Sequence, residues 1–166
     1  MTELAFLRAF LAWEVFLEKS FVLYLSGQKP PRGRAPYRYT FPPDQKAAIA
    51  WLVPEGRSYT NWTIAADVRT RAERHFRDGS PYAHVLRGNQ SVLDETQTIR
   101  NAIAHESRSA HERFEKLVRI KLSTVPHNLT VGGFLGTTMS GSSPPVSFLE
   151  FYINKIDFAA RQIIPS

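Results

Sequence analysis

The residues best suited to chemistry in this chain sit in one run, Arg100-Asn101-Ala102-Ile103-Ala104-His105. An imidazole exchanges protons near neutral pH, and a guanidinium holds a phosphate through two parallel N–H donors. With neither a carboxylate nor a thiol in the same run, this pair suits a reaction that moves protons around a phosphate. Cleavage of RNA by its own 2′-hydroxyl is such a reaction. One histidine does not easily serve as both base and acid, so a second copy of the chain would complete the site. In helical phase Asn101 and His105 lie one turn apart and Arg108 joins their face, while Arg100 sits on the flank, about 140° from His105. The competing assignment for Arg100 is an ordinary ion pair with Glu95 or Glu106.

These residues need a scaffold, and the sequence predicts a helical one. Ser91-Val92-Leu93-Asp94 is a capping-box pattern, and no Gly or Pro follows it until Pro126. One long helix is expected there, with Val92, Ile99, Ile103, Ala110, Phe114 and Leu117 as its core stripe and the polar cluster on the opposite face. Residues 2–26 also lack Gly and Pro. Glu3, Arg8, Glu14, Glu18 and Lys19 gather on one side of that stretch, and Phe6, Phe10, Trp13, Leu17 and Val22 face elsewhere. So wide an apolar surface predicts a helix packed against several others, stopped at Gly27. Asp44 should cap a short helix carrying Ile49, Trp51 and Leu52. Thr60 or Asn61 should cap another through Trp62, Ala65, Val68, Ala72 and Phe76, ended by Asp78-Gly79-Ser80-Pro81 and followed by a short turn of helix over 82–86. Ser147-Phe148-Leu149-Glu150 repeats the capping box and opens a last helix with Phe148, Tyr152, Ile156, Ala159 and Ile163 on its buried side. Between these, residues 123–145 are rich in Thr, Gly, Ser and Pro and predict a long surface loop, held in part by Leu129, Phe134 and Leu135. No period-two alternation survives, so the expected fold is a single all-α domain over 1–166, an antiparallel bundle of about five to six helices.

Composition narrows the chemistry further. The chain has 166 residues, 43% of them hydrophobic, which suffices for a core without disulfides or metals. It contains no cysteine, so disulfides, thiolate zinc sites and cysteine nucleophiles are excluded, in keeping with a reducing cytoplasm. Its formal charge of +6 favours polyanionic partners. The apolar N-terminal stretch is interrupted by Arg8, Glu14, Glu18 and Lys19, which argues against a membrane span or signal peptide and for a soluble, cytoplasmic protein. The runs His105-Glu106-Ser107-Arg108-Ser109 and His111-Glu112-Arg113-Phe114-Glu115 begin like a zinc-protease motif. Each lacks the second histidine one turn on, so no metal or other cofactor is expected. Residues 136–143 have the glycine spacing of a phosphate loop without its lysine, and read as a flexible loop.

The segment Arg100-Asn101-Ala102-Ile103-Ala104-His105 resembles the R-x4-6-H motif of the HEPN superfamily, whose ribonuclease-type members often carry a polar residue directly after the arginine, as Asn101 does here. The long apolar opening helix over 5–25 and the all-α layout resemble that family as well. The resemblance implies a metal-independent endoribonuclease acting as a homodimer, with the two motif helices meeting at the two-fold axis, in toxin–antitoxin, abortive-infection or other antiviral systems. It also implies RNA as substrate and a cognate antitoxin, such as a nucleotidyltransferase, as a partner. On this chain His105 would transfer protons, Arg100 would orient and neutralise the scissile phosphate, and Asn101 would support them. Members silenced by tyrosine modification carry a Tyr two places after the histidine; Ser107 stands there instead.

A second basic feature lies in residues 29–43, which hold five prolines and the cations Lys29, Arg32, Arg34 and Arg38 without one acid, interleaved with Tyr37, Tyr39 and Phe41. Cations for phosphates and rings for bases make a single-strand contact, with Arg32, Arg34, Arg38 and Tyr37 as its candidates and Arg108 as a further one. The bland alternative is a solvated arm packing its rings on the bundle. Arg69, Arg71, Arg74 and Arg77 read as a solvated helix face. His75, His84, His111 and His127 show no ligand spacing and receive no role. The rival function is therefore a non-catalytic HEPN-like helical module that binds RNA or a partner protein through the arm.

Overall fold

The computed structural model describes residues 1–165. Among these the protein is all-α. It has eight helices: α1 (Thr2–Leu25), α2 (Gln45–Leu52), α3 (Ala65–His75), α4 (Tyr82–Gly88), α5 (Gln90–Ala104), α6 (Arg108–Leu122), α7 (Val131–Gly136) and α8 (Phe148–Ile163), with one 3-10 turn at Arg77–Gly79. No strand forms among the described residues. Two isolated bridges, Arg38 to Phe76 and Thr138 to Ser147, are the β pairings present. No described helix is long and apolar enough to cross a membrane.

Eight helices replace the five or six expected, for two reasons. The long helix after Ser91 is broken into α5 and α6 at residues 105–107. Ser91 also lies inside α5 and not at its cap, because the helix starts at Gln90 directly after α4. Second, the stretch 123–145 is not a surface loop throughout. It contains α7, whose Thr130 side chain accepts from the Gly133 N–H at the N-cap and whose Phe134 and Leu135 are fully buried. The Thr138 to Ser147 bridge then ties the segment down where a flexible loop was expected.

The chain divides into two compact units, with α1 and α8 each contributing to both. The first comprises residues 1–11 and 91–156. Its core is Phe6, Phe10, Ile99, Phe114, Leu117, Val118, Val131, Phe134, Leu135, Phe148 and Tyr152, so the stripe expected on α5 and α6 is buried at Ile99, Ala110, Phe114 and Leu117. Val92 and Ile103 are only partly buried. The Phe134 and Phe148 rings stack at 4.5 Å, and Phe6 meets Tyr152 edge-on at 6.3 Å. Ser147 forms the expected capping box: its hydroxyl accepts from the Glu150 N–H, and its own N–H donates to the Glu150 carboxylate at 2.9 Å. Those bonds from Ser147 hold the Glu150 carboxyl below the usual carboxylate range. Within this unit Glu95 accepts both Lys121 Nζ at 2.7 Å and the Tyr152 hydroxyl at 2.9 Å. Burial, then the Glu95 charge, pushes the Tyr152 phenol far up, so it remains a donor throughout the accessible pH range.

The second unit comprises residues 12–90 and the end of α8. Phe21 of α1 is its centre, with Trp62, Phe76 and Tyr82 at 5.3, 5.0 and 5.0 Å and His75 edge-on at 6.1 Å. Asp44 caps α2 as expected, accepting from the Ala47 N–H at 2.7 Å. The start of α3 differs from expectation. Asn61 turns its side chain onto the Thr63 N–H, and the Thr63 hydroxyl bonds Glu14, so 60–64 stays non-helical and α3 begins at Ala65. Residues 29–43 form the expected irregular arm. It is pinned to the end of α3, with Tyr39 N–H donating to the His75 carbonyl and Arg77 N–H to the Tyr37 carbonyl.

Glu95→Ala strands Lys121 in a site where the pair is only 24% and 16% exposed, and should cost about 2–3 kcal/mol by urea denaturation, against about 1 kcal/mol for Tyr152→Phe. His75 is 7% exposed and bonded through Nδ1 to the Thr40 hydroxyl at 2.8 Å. Burial, then Arg74 and Arg71, lowers its pKa. Its neutral form is the folded one, so the contribution to stability is complete above the unfolded value of about 6.5 and is lost as pH falls from there through the folded value. Stability measured from pH 7 to 5 should fall more steeply in the parent than in His75→Gln.

Candidate functional site

The Arg100 to His105 run spans the end of α5, and the local structure explains why the helix stops there. The Ser107 side chain caps α6 by accepting from the Ala110 N–H at 3.3 Å, with the Ser107 backbone extended at φ −76° and ψ 140°. A serine that serves as N-cap cannot also continue the preceding helix. His105 therefore lies just beyond α5, its N–H closing the last turn onto the Asn101 carbonyl at 3.0 Å. The expected placement of His105 within a continuous helix is thus corrected.

The break changes which side chains meet. Arg100 Nη1 lies 3.3 Å from His105 Nε2 and 3.2 Å from Asn101 Oδ1. The three residues named from the sequence are therefore in one cluster, and Arg100 is nearer to His105 than the flank position of a continuous helix implied. A guanidinium only donates, so Nε2 must accept, which leaves the imidazole proton on Nδ1 and the lone pair toward Arg100. Glu95, one of the carboxylates weighed as an alternative partner for Arg100, is taken by Lys121 and Tyr152.

A cleft of about 290 Å³ opens beside the cluster, lined by Asp94, Gln97, Thr98, Asn101, His105 and Arg113 among others. Asp94, Gln97, Thr98 and Asn101 follow helical spacing on α5, so this polar face was legible in the sequence once α5 was recognised. Arg113 was not, because its approach depends on how α6 leaves the break. Arg108, expected to join the cluster, instead pairs with Glu112 at 2.8 Å in an exposed one-turn ion pair.

The arm residues lie in the second unit. Arg32, Arg34 and Tyr37 line a groove of about 420 Å³ with Arg77 and Pro165. Arg77, expected on the face of α3, falls in the 3-10 turn beyond it, and its guanidinium covers the Tyr37 ring at 4.9 Å. Arg38 has a different occupation. It donates to the Leu25 carbonyl at 2.8 Å, capping the end of α1, and lies 5.0 Å over the Phe41 ring. Gly27 admits it: the backbone there is at φ +92°, and a Cβ would come within 2.9 Å of the guanidinium. No group of three His, Asp or Glu side chains placed to hold a metal ion occurs among the described residues.

Ser107→Ala should lower stability by about 1 kcal/mol and raise amide exchange in the first turn of α6, leaving α5 protected. Comparison with protein-family models, curated proteins and solved structures finds no match for this chain.

Proposed function

We propose that the protein is a metal-independent endoribonuclease of HEPN type, active as a homodimer and serving as a toxin or antiphage effector. The observation that carries this reading is the contact of Arg100 Nη1 with His105 Nε2 at 3.3 Å, which aims an imidazole lone pair at the group best suited to hold a phosphate. In the reaction, an RNA 2′-hydroxyl takes the place of the guanidinium at Nε2 and gives up its proton there. The 2′-oxygen attacks the adjacent phosphorus, and Arg100, turned onto the phosphate oxygens, neutralises the developing charge. The 5′-oxygen leaves with a proton from a second copy of His105 that enters the step as the imidazolium, yielding a 2′,3′-cyclic phosphate and a 5′-hydroxyl. Asn101 Oδ1 accepts from the same Nη1 at 3.2 Å and helps to position the guanidinium. His105 is exposed, as a residue shared with a second protomer and with RNA must be. A cognate antitoxin, such as a nucleotidyltransferase, belongs to the same reading, as does a cytoplasmic location.

The second reading is a non-catalytic RNA-binding module, favoured by the groove in which Arg32, Arg34, Tyr37 and Arg77 converge. The test is incubation of the protein with mixed RNA in excess EDTA beside His105→Ala purified identically. The parent should cleave, and His105→Ala should lose about 10² to 10⁴-fold or more while remaining folded. Arg100→Ala should be nearly as severe. Cleavage by both proteins or by neither would overturn the catalytic reading; RNA binding that His105→Ala leaves unchanged, without cleavage, would establish the module.

A further inference from the structure

The second unit carries a cleft that the proposed reaction does not use. It lies along α3 beside the end of α2, and its volume of about 450 Å³ is that of a small-molecule site. Arg57 from the loop after α2 and Arg71 and Arg74 from α3 all reach its lining. Among the described residues none of the three is in an ion pair. Three guanidiniums outnumber the two carboxylates of the lining, Asp67 and Glu55, so the cleft keeps an excess positive charge that an anion would answer.

Arg71 is held by two neighbours. Its guanidinium lies 4.6 Å over the Trp62 ring and donates through Nη2 to the Asn61 carbonyl at 3.3 Å. Its Nη1 is buried and has no hydrogen-bond partner. Burial lowers the Arg71 pKa, against the pull of Asp67 and with the push of Arg74. A buried cationic N–H left unanswered is costly, and the contacts with Trp62 and Asn61 favour the orientation that leaves it so. An anionic oxygen in the cleft would answer it.

Other lining groups define what carries that oxygen. His75 is held neutral and adds no charge. Asp67 and Glu55 also line the cleft, and as acceptors they suit hydroxyl or amino groups that a bare inorganic anion lacks. Trp51, 53% exposed, lines the cleft and supplies an aromatic surface for a planar ring. We propose that this cleft binds a nucleoside monophosphate, its phosphate on Arg71, Arg74 and Arg57, its base against Trp51, and its hydroxyl groups toward Asp67 and Glu55. This site is independent of the Arg100 and His105 cluster.

The test is isothermal titration of the full chain with AMP, inorganic phosphate and adenosine separately. AMP should bind at least about tenfold more tightly than either fragment, since only it engages both halves of the cleft. Arg74→Gln and Arg57→Gln alter exposed side chains, and each should weaken AMP about tenfold or more, the loss expected for one charge-assisted contact. Trp51→Ala should bring AMP down to the affinity of phosphate while leaving phosphate unchanged. Arg71→Gln should abolish binding; because Arg71 also packs on Trp62, the two exposed variants keep the test independent of folding. No AMP binding at millimolar concentration would overturn the proposal, as would adenosine binding as tightly as AMP or AMP binding unaltered in Arg74→Gln.

Discussion

The carboxylate of Glu95 is shared between the ammonium of Lys121 and the hydroxyl of Tyr152, and this contact joins α5, α6 and α8 at one point of the first unit. An ion pair so little exposed repays its desolvation only when the remaining lone pairs are satisfied, and the Tyr152 phenol supplies that bond. The aromatic layer of Phe6, Phe134, Phe148 and Tyr152 closes over the same place, so polar and apolar packing support one geometry. The consequence reaches the candidate site. With Glu95 engaged inward, Arg100 turns instead to Asn101 and His105.

The break between α5 and α6 is the second constraint on the site. Ser107 gives α6 a capped start, and the three residues released from helical geometry carry His105 to the end of α5. Because these residues are exposed, the interruption costs no core contact. The side chain that results is held by one backbone bond to Asn101 and by one guanidinium, an arrangement that leaves the imidazole accessible.

In the second unit the basic residues that raise the net charge separate by surroundings. Arg38 is drawn to the carbonyl end of α1, where a cation is favoured by unsatisfied carbonyls and by the helix dipole. Arg71 is drawn onto Trp62 and half-buried, with Arg74 and Arg57 around the same cleft. Arg32, Arg34 and Arg77 remain on an open groove. Cations equivalent in a composition count therefore include one helix cap, one half-buried side chain and others that line two open grooves.

Periodicity and capping determined much of the fold. The apolar run before Gly27, Asp44 at the head of α2 and the Ser147 to Glu150 box were readable because a cap or a helical face is a local property of a few side chains. The Arg100, Asn101 and His105 set was likewise readable as residue types at a spacing. The break at 105–107 was hidden because those polar residues look the same on the wet face of a helix as in a loop, and the apolar stripe keeps its phase across them. Helix α7 was hidden by its glycines, since only burial of Phe134 and Leu135 offsets their poor helix propensity. Tertiary structure alone decided that Glu95 would take Lys121, that Arg38 would cap α1, and that Arg71 would keep one N–H buried and unanswered. Each depends on which groups distant in sequence pack around a side chain, and local pattern carries no information about that packing.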